Sequence, residues 1–239
     1  MTSSSPTRGP ASPTRATARP VDGDTLFPVF SVSKALLATA IQLQCERGLV
    51  DMDEPVATYW PEYGQRGKER ITVGHVLTHR AGVPHMPPDL DAAGLADWDA
   101  ITSWLAGVEP LHPPGERSMY HSMSFGHILG EVVRRTDPEH RPYDRFLREE
   151  LCLPIGADDV WDVLPAEHEH RVARLTWGPN PPKRAPMTGV PLLSMPPGDP
   201  SGRRPLERPP VPVVVGPGGG RGDDGPRRCA VLQPARQPR

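Results

Sequence analysis

The sequence predicts a largely helical domain over residues 21–178, between two disordered segments at 1–20 and 179–239. All 13 aromatic residues lie between Phe27 and Trp177, whereas 16 of the 33 prolines lie after residue 178. Apolar residues in the middle recur at helical spacing, and strand-like alternation does not extend beyond about four residues. Only the middle therefore has enough apolar surface to form a core.

The two flanking segments differ from the middle in charge as well as in composition. A stretch such as 213–220 (VVVGPGGG) cannot bury enough apolar area to offset the loss of chain entropy. Residues 179–239 carry 10 basic and 4 acidic groups, whereas residues 29–178 carry 14 and 23. The acidic middle argues against a nucleic-acid-binding surface, and the basic tail would bind polyanions only weakly and without sequence preference. We expect no nucleic-acid partner.

The first predicted helix begins at Ser31 and ends at Arg47, and Gly48 follows it as a left-handed cap. A short helix at 56–60 is stopped by Pro61, and the next helix has Thr72 available as its N-cap. After the helix at 56–60, apolar periodicity predicts helices at 71–79, 97–106, 122–135 and 143–151.

Cysteine use and hydropathy bear on the cellular compartment. The three cysteines, Cys45, Cys152 and Cys229, show no C-x-x-C spacing, so we expect neither a disulfide framework nor a zinc knuckle. No run of 18 apolar residues occurs, and the N-terminus lacks the apolar stretch of a secretory signal. These observations favour a cytoplasmic protein without a membrane partner.

Ser31 and Lys34 are spaced as a nucleophile and a potential base. Three residues apart on one helix, their side chains leave the same face about one turn apart. The amine can take a proton only when its pKa falls from about 10.4 through desolvation or a nearby cation. The helix N-terminus adds partial positive charge and a backbone N–H for an oxyanion. An S-x-x-K sequence also arises by chance about once in a chain of this length, so its context must support the assignment.

That context resembles the serine beta-lactamase-related hydrolases, in particular the class C beta-lactamase and family VIII carboxylesterase group. The resemblance covers roughly residues 19–176. Its blocks occur in the order typical of the family: TLFPVFSVSKA at 25–35, CERGLVDMDEPV at 45–56, ITVGHVLTHRAGV at 71–83, PGERSMYHS at 114–122 and LCLPIG at 151–156.

The resemblance implies roles for five residues. Ser31 would be the acylated nucleophile, Lys34 its partner, and Tyr120 a phenolate or proton relay to the leaving group. His121 and Ser122 would contact the substrate. Together with Tyr120 they occupy the three positions where the family often has Y-x-N, so Ser122 stands in place of the asparagine. The shorter hydroxyl in place of the asparagine amide favours an ester over a lactam as substrate.

The family's fold is an α/β sandwich of the α+β type, an antiparallel sheet covered by helices, with a helical domain that carries the second motif. In this sequence the resemblance covers mainly the helical part, so we expect a beta-lactamase/transpeptidase-like fold with an incomplete sheet. The family's third motif, a K-T-G or H-x-G strand that supplies the second oxyanion N–H, is not found. Losing one oxyanion donor costs about 10²–10³ in rate.

Several polar residues have structural alternatives. His75 and His79 have a metal-site spacing but no neighbouring Glu and no third ligand, which favours a structural role. His168 and His170 fit a solvated helix end. His121 could tune the site or merely line it. For Ser31, the alternative to a nucleophile is a helix N-cap.

Three further serines, Ser33, Ser122 and Ser124, are weaker candidates for the nucleophile. Ser33 points about 100° away from Ser31 around the helix, so Ser31 is preferred. Ser122 and Ser124 lack the flanking G-x-S-x-G of a nucleophile elbow.

The sequence therefore predicts a cytoplasmic serine hydrolase that cleaves a small-molecule ester or amide through an acyl-enzyme on Ser31. An ester is favoured, and no metal or organic cofactor is implied. The alternative is a truncated or catalytically inactive domain of the same family that lacks the third motif. The substrate's identity and the oligomeric state stay open.

Overall fold

The computed structural model describes residues 20–88, 90 and 94–173, together with the backbone of 214–215. Within these residues, six α-helices carry most of the fold: α1 Ser33–Glu46, α2 Val56–Tyr59, α3 Val73–Leu77, α4 Trp98–Gly107, α5 Ser124–Thr136 and α6 Tyr143–Leu147. Three strands of two residues each accompany them: β1 Phe27–Pro28, β2 Val160–Trp161 and β3 Val214–Val215. Short 3₁₀ turns form at Phe30–Val32, Pro61–Tyr63, Gly94–Ala96, Leu153–Ile155 and Ala166–Arg171.

The helix ends follow local chemistry. Gly48 has φ +70°, which confirms the predicted left-handed cap of α1. The Thr72 hydroxyl accepts from the His75 N–H at 3.1 Å, and the His75 ring accepts from the Thr72 N–H at 3.2 Å, so the two residues form a capping box. α3 is shorter than predicted because the chain leaves the helical region at His79, where φ is +58°.

The later helices deviate from prediction at their ends. α5 begins at Ser124, two residues after the predicted start. The last predicted helix ends as an α-helix at Leu147 and continues as a π-helical turn, Arg148–Cys152. These differences are confined to terminal turns, which sequence patterns define least well.

The core is built around α5, which packs against α1, α3, α4 and α6. Large side chains from several helices are fully or almost fully buried there: Leu37, Ile41, Trp60, Tyr63, Ile101, Leu105, Ile128, Leu129, Val132 and Phe146. The buried carboxylate of Glu131 accepts from Trp98, Arg134 and Arg135 at 2.7–2.9 Å, which satisfies a charge that would otherwise be costly inside the core.

The strands form an antiparallel sheet in the order β1-β3-β2. Phe27 pairs with Val215 and Trp161 with Val214. This small sheet matches the incomplete antiparallel sheet predicted from the sequence. β1 leads directly into the turn that carries Ser31, so the sheet edge and α1 together fix the position of that residue.

The segment 179–239, predicted to be disordered, contributes β3 at Val214–Val215. Consecutive β-branched residues favour an extended backbone, which explains why strand pairing occurs at this point of a Pro- and Gly-rich segment. The predictions for 1–19, 174–213 and 216–239 concern residues outside those that the structure describes. Among the described helices, none combines the length and the apolar character needed to cross a bilayer.

Candidate active site

Ser31 lies in the 3₁₀ turn Phe30–Val32 at the start of α1 and is exposed. Phe30 has φ +49°, a left-handed conformation that is unfavourable for a bulky residue and that often accompanies functional sites. The Ser33 hydroxyl donates to the Phe30 carbonyl at 2.9 Å. Ser33 is thus engaged with the backbone, in agreement with the preference for Ser31.

Lys34 extends from the first turn of α1 toward the segment that precedes α5. Its Nζ donates to the Ser122 carbonyl at 2.7 Å and lies 3.4 Å from Ser31 Oγ. The same Nζ lies 5.0 Å from the centroid of the Tyr120 ring and 5.8 Å from that of Phe125. The aromatic faces and the carbonyl hold the ammonium group beside Ser31.

Tyr120 is the second side chain, after Lys34, that contacts Ser31 Oγ. Its hydroxyl donates to Ser31 Oγ at 2.7 Å, and its side chain is about half exposed. Burial raises the pKa of Tyr120, but hydrogen bonds with Ser31 and Lys34 and the charge of Lys34 outweigh it, so the net pKa lies below the usual 10. Tyr120 therefore ionises more readily than a free tyrosine, and its phenolate is the form that can accept a proton from a serine.

Tyr120 differs in this respect from the other tyrosines. Burial raises the pKa of Tyr59, Tyr63 and Tyr143. Tyr120 is therefore expected to be the first tyrosine to ionise as the pH rises.

The structure brings together the three residues predicted to be catalytic, Ser31, Lys34 and Tyr120, although Tyr120 lies far from the other two in sequence. It places the two predicted substrate-binding residues differently. Ser122 contributes its main-chain carbonyl to Lys34. The side chain of His121 is completely buried, and its Nε2 accepts from the Val83 N–H at 3.1 Å.

The prediction that His121 contacts the substrate is therefore corrected. The Tyr120 side chain is half exposed beside Ser31, whereas the side chain of the next residue, His121, is buried in the core. Its ring supports the loop after α3 through Val83 instead.

His121 should make stability depend on pH. Burial lowers its pKa from 6.5 to about 4, so between these values the unfolded state binds more protons than the folded state. The contribution of His121 is complete above pH 6.5 and is lost as the pH falls toward 4, up to about 3 kcal/mol in all. Urea unfolding followed by tryptophan fluorescence at pH 7 and pH 5 measures this loss.

The control is His121→Gln, which keeps an acceptor for the Val83 N–H and does not titrate in this range. We expect the parent to lose about 2 kcal/mol more than the variant between pH 7 and pH 5. A parallel decline in both proteins would contradict the assignment.

The rings of His75 and His168 have structural contacts. The His75 ring is used to cap α3, and the His168 ring packs 5.2 Å from that of Trp161. Among the described residues, no cluster of three or more His, Cys, Asp or Glu side chains is arranged to hold a metal ion.

The sequence favours only a structural role for His79. The structure shows its ring 4.7 Å from that of Tyr120, which makes it a direct neighbour of the site. The contact joins two separate blocks of the chain, so no local pattern in the sequence indicates it.

Comparison with known proteins identifies the family. A family model described as Beta-lactamase matches residues 11–221, most of the chain. The protein belongs to the beta-lactamase family.

Individual relatives agree with this membership. Esterase/beta-lactamase LipL of Mycobacterium tuberculosis is 33% identical over 157 residues, 65% of this chain and 36% of LipL. The crystal structure of a family VIII carboxylesterase shows 38% identity and a TM-score of 0.62 over 64% of this chain and 42% of that one. A penicillin-binding protein homologue from Caulobacter crescentus shows 33% identity and a TM-score of 0.67, covering 82% and 54%.

These matches confirm the predicted beta-lactamase/transpeptidase-like fold, within a serine hydrolase family that includes esterases. The chain spans 36–54% of the length of these three relatives.

Proposed function

We propose that the protein hydrolyses a small-molecule ester through a covalent acyl-enzyme on Ser31. One observation carries the proposal: the Tyr120 hydroxyl and the Lys34 ammonium group meet at Ser31 Oγ, at 2.7 and 3.4 Å. A serine used only as a helix cap needs neither neighbour. The meeting of a phenol and an amine at one hydroxyl supports a nucleophile activated for attack.

The geometry supports the following sequence of steps. Ser31 Oγ attacks the carbonyl carbon of the substrate, and the Tyr120 phenolate accepts the serine proton. The new bond between oxygen and carbon forms the acyl-enzyme as the bond to the leaving oxygen breaks, and Tyr120 returns the proton to that oxygen. Water then releases the acyl group by the reverse proton route. Lys34 lies beside both Ser31 Oγ and the phenolate, where its charge stabilises the phenolate and its amine can give up one proton as it takes up another.

Two observations support an ester rather than a lactam. Lys34 is held by the Ser122 carbonyl, in a segment that has Tyr120-His121-Ser122 where the family often has an asparagine. In addition, one relative is named a family VIII carboxylesterase.

A catalytically inactive domain is the second candidate. It is favoured by the sequence, which contains no K-T-G or H-x-G tripeptide to supply the second oxyanion N–H. The same experiment separates the two candidates.

The experiment is labelling of the purified, folded chain with a fluorophosphonate, together with the initial burst on a short-chain p-nitrophenyl ester. We expect a stoichiometric label and a burst in the parent and in Ser33→Ala, and neither in Ser31→Ala. Ser33 is the matched control because its hydroxyl is bonded to the Phe30 carbonyl in the same turn. A folded parent that gives neither label nor burst would establish the inactive domain.

A further inference from the structure

His79 holds the chain on both sides of Tyr120. Its carbonyl accepts from the Met119 N–H at 2.8 Å, and its ring Nδ1 accepts from the His121 N–H at 3.2 Å. Between these two hydrogen bonds, its ring packs against the Tyr120 ring with centroids 4.7 Å apart. One residue therefore contacts Tyr120 and both of its neighbours in sequence.

We propose that His79 is a positioning residue that fixes the Tyr120 hydroxyl against Ser31 and Lys34. The proposal deepens the proposed function, because the orientation of Tyr120 has chemical value only if Ser31 is acylated. Tyr120 itself is about half exposed, so burial alone does not fix its ring. The contacts with His79 supply the missing restraint.

The side chain at this position must meet three requirements. The backbone has φ +58°, which histidine and asparagine adopt more readily than most residues. The side chain must offer an acceptor to the His121 N–H and also a flat ring to Tyr120. Asparagine meets the first two requirements and phenylalanine only the third, whereas histidine meets all three.

The ring must also remain neutral. A proton on Nδ1 would face the His121 N–H, donor against donor, and would break the hydrogen bond. Burial and the charge of Lys34 both lower the pKa of His79, which maintains the acceptor form. The His79 ring also packs against those of His121 and Phe125, so its orientation is restrained from the core side.

Alkaline titration of tyrosinate absorbance near 295 nm tests the proposal without relying on activity. In the parent we expect one tyrosine to ionise below pH 10, and this step to vanish in Tyr120→Phe, which assigns it. In His79→Asn the step should move up toward 10, because the Tyr120 ring is released from Ser31 and Lys34 into solvent.

His140→Asn provides the matched control. His140 is exposed, has φ +50° and lies beyond the end of α5, so the same substitution at the same kind of backbone conformation leaves Tyr120 untouched. We expect this variant to titrate as the parent does.

Acylation provides the second measurement. His79→Asn should slow ester acylation about 10²-fold, the cost of misplacing a catalytic group by about 1 Å. His79→Phe, which restores the ring but not the acceptor, should recover part of the lost rate. His140→Asn should acylate at the parental rate.

The outcomes distinguish this inference from the proposed function. An inactive parent overturns the proposed function, while the titration still tests the position of Tyr120. An unchanged first tyrosine step in folded His79→Asn overturns the role of His79. If neither His79→Asn nor His79→Phe folds, NMR of the imidazole signals of the parent decides. The His79 signals must shift as the first tyrosine ionises. If they do not shift, the inference is overturned.

Discussion

Replacing Tyr120 with phenylalanine is expected to slow acylation of Ser31 by about 10²- to 10⁴-fold, the usual contribution of a general acid or base. The variant keeps the ring that packs on His79 and Lys34 and removes only the hydroxyl that touches Ser31 Oγ. The fold should therefore be preserved, and the loss should fall on the chemical step.

Single-turnover kinetics with a p-nitrophenyl ester measure this effect. Tyr59→Phe is the matched control, because the Tyr59 hydroxyl accepts from the Asp51 N–H at 2.7 Å, outside the catalytic contacts. We expect Tyr59→Phe to acylate at the parental rate. Equal acylation rates in Tyr120→Phe and the parent would exclude Tyr120 as the proton carrier.

Local patterns predicted the parts of the fold that local chemistry determines. The cap at Gly48 and the N-cap at Thr72 both depend on residues within one helical turn. The S-x-x-K spacing likewise placed Ser31 and Lys34 one turn apart, as the structure confirms. In each case the interacting groups are neighbours in sequence, so the sequence pattern carries the information.

The features missed by sequence reasoning depend on contacts between distant segments. His121 is buried because Val83 supplies its hydrogen-bond donor from another block. β3 forms because Val214–Val215 pairs antiparallel with β1 on one side and with β2 on the other. Neither partner can be identified from the residues around the position itself.

The resemblance located Tyr120 beside Ser31, a contact that no spacing rule could provide. It did not show that Lys34 would be held by the Ser122 carbonyl, because a motif compares side chains and the interaction here uses the backbone. The role of His79 was missed for a related reason: its hydrogen bonds to the Tyr120 segment use one main-chain and one ring acceptor.

Replacing Lys34 with arginine is expected to lower acylation at least about 10²-fold although it keeps the charge. A guanidinium with a pKa above about 12 cannot exchange a proton with Ser31 or Tyr120 during the reaction. Its planar fork also cannot reproduce a compact ammonium group that lies 2.7 Å from the Ser122 carbonyl and 3.4 Å from Ser31 Oγ.

Comparison of Lys34→Met with Lys34→Arg separates the effect of the Lys34 charge from the effect of proton transfer by Lys34. Without the cation, the first tyrosine step should rise toward 10, whereas Lys34→Arg should keep that step below 10, because charge beside the ring favours the phenolate. We therefore expect Lys34→Arg to lose acylation while retaining an easily ionised Tyr120, and Lys34→Met to lose both. If Lys34→Arg acylates at the parental rate and Lys34→Met does not, Lys34 acts only through its charge, and Tyr120 alone carries the proton.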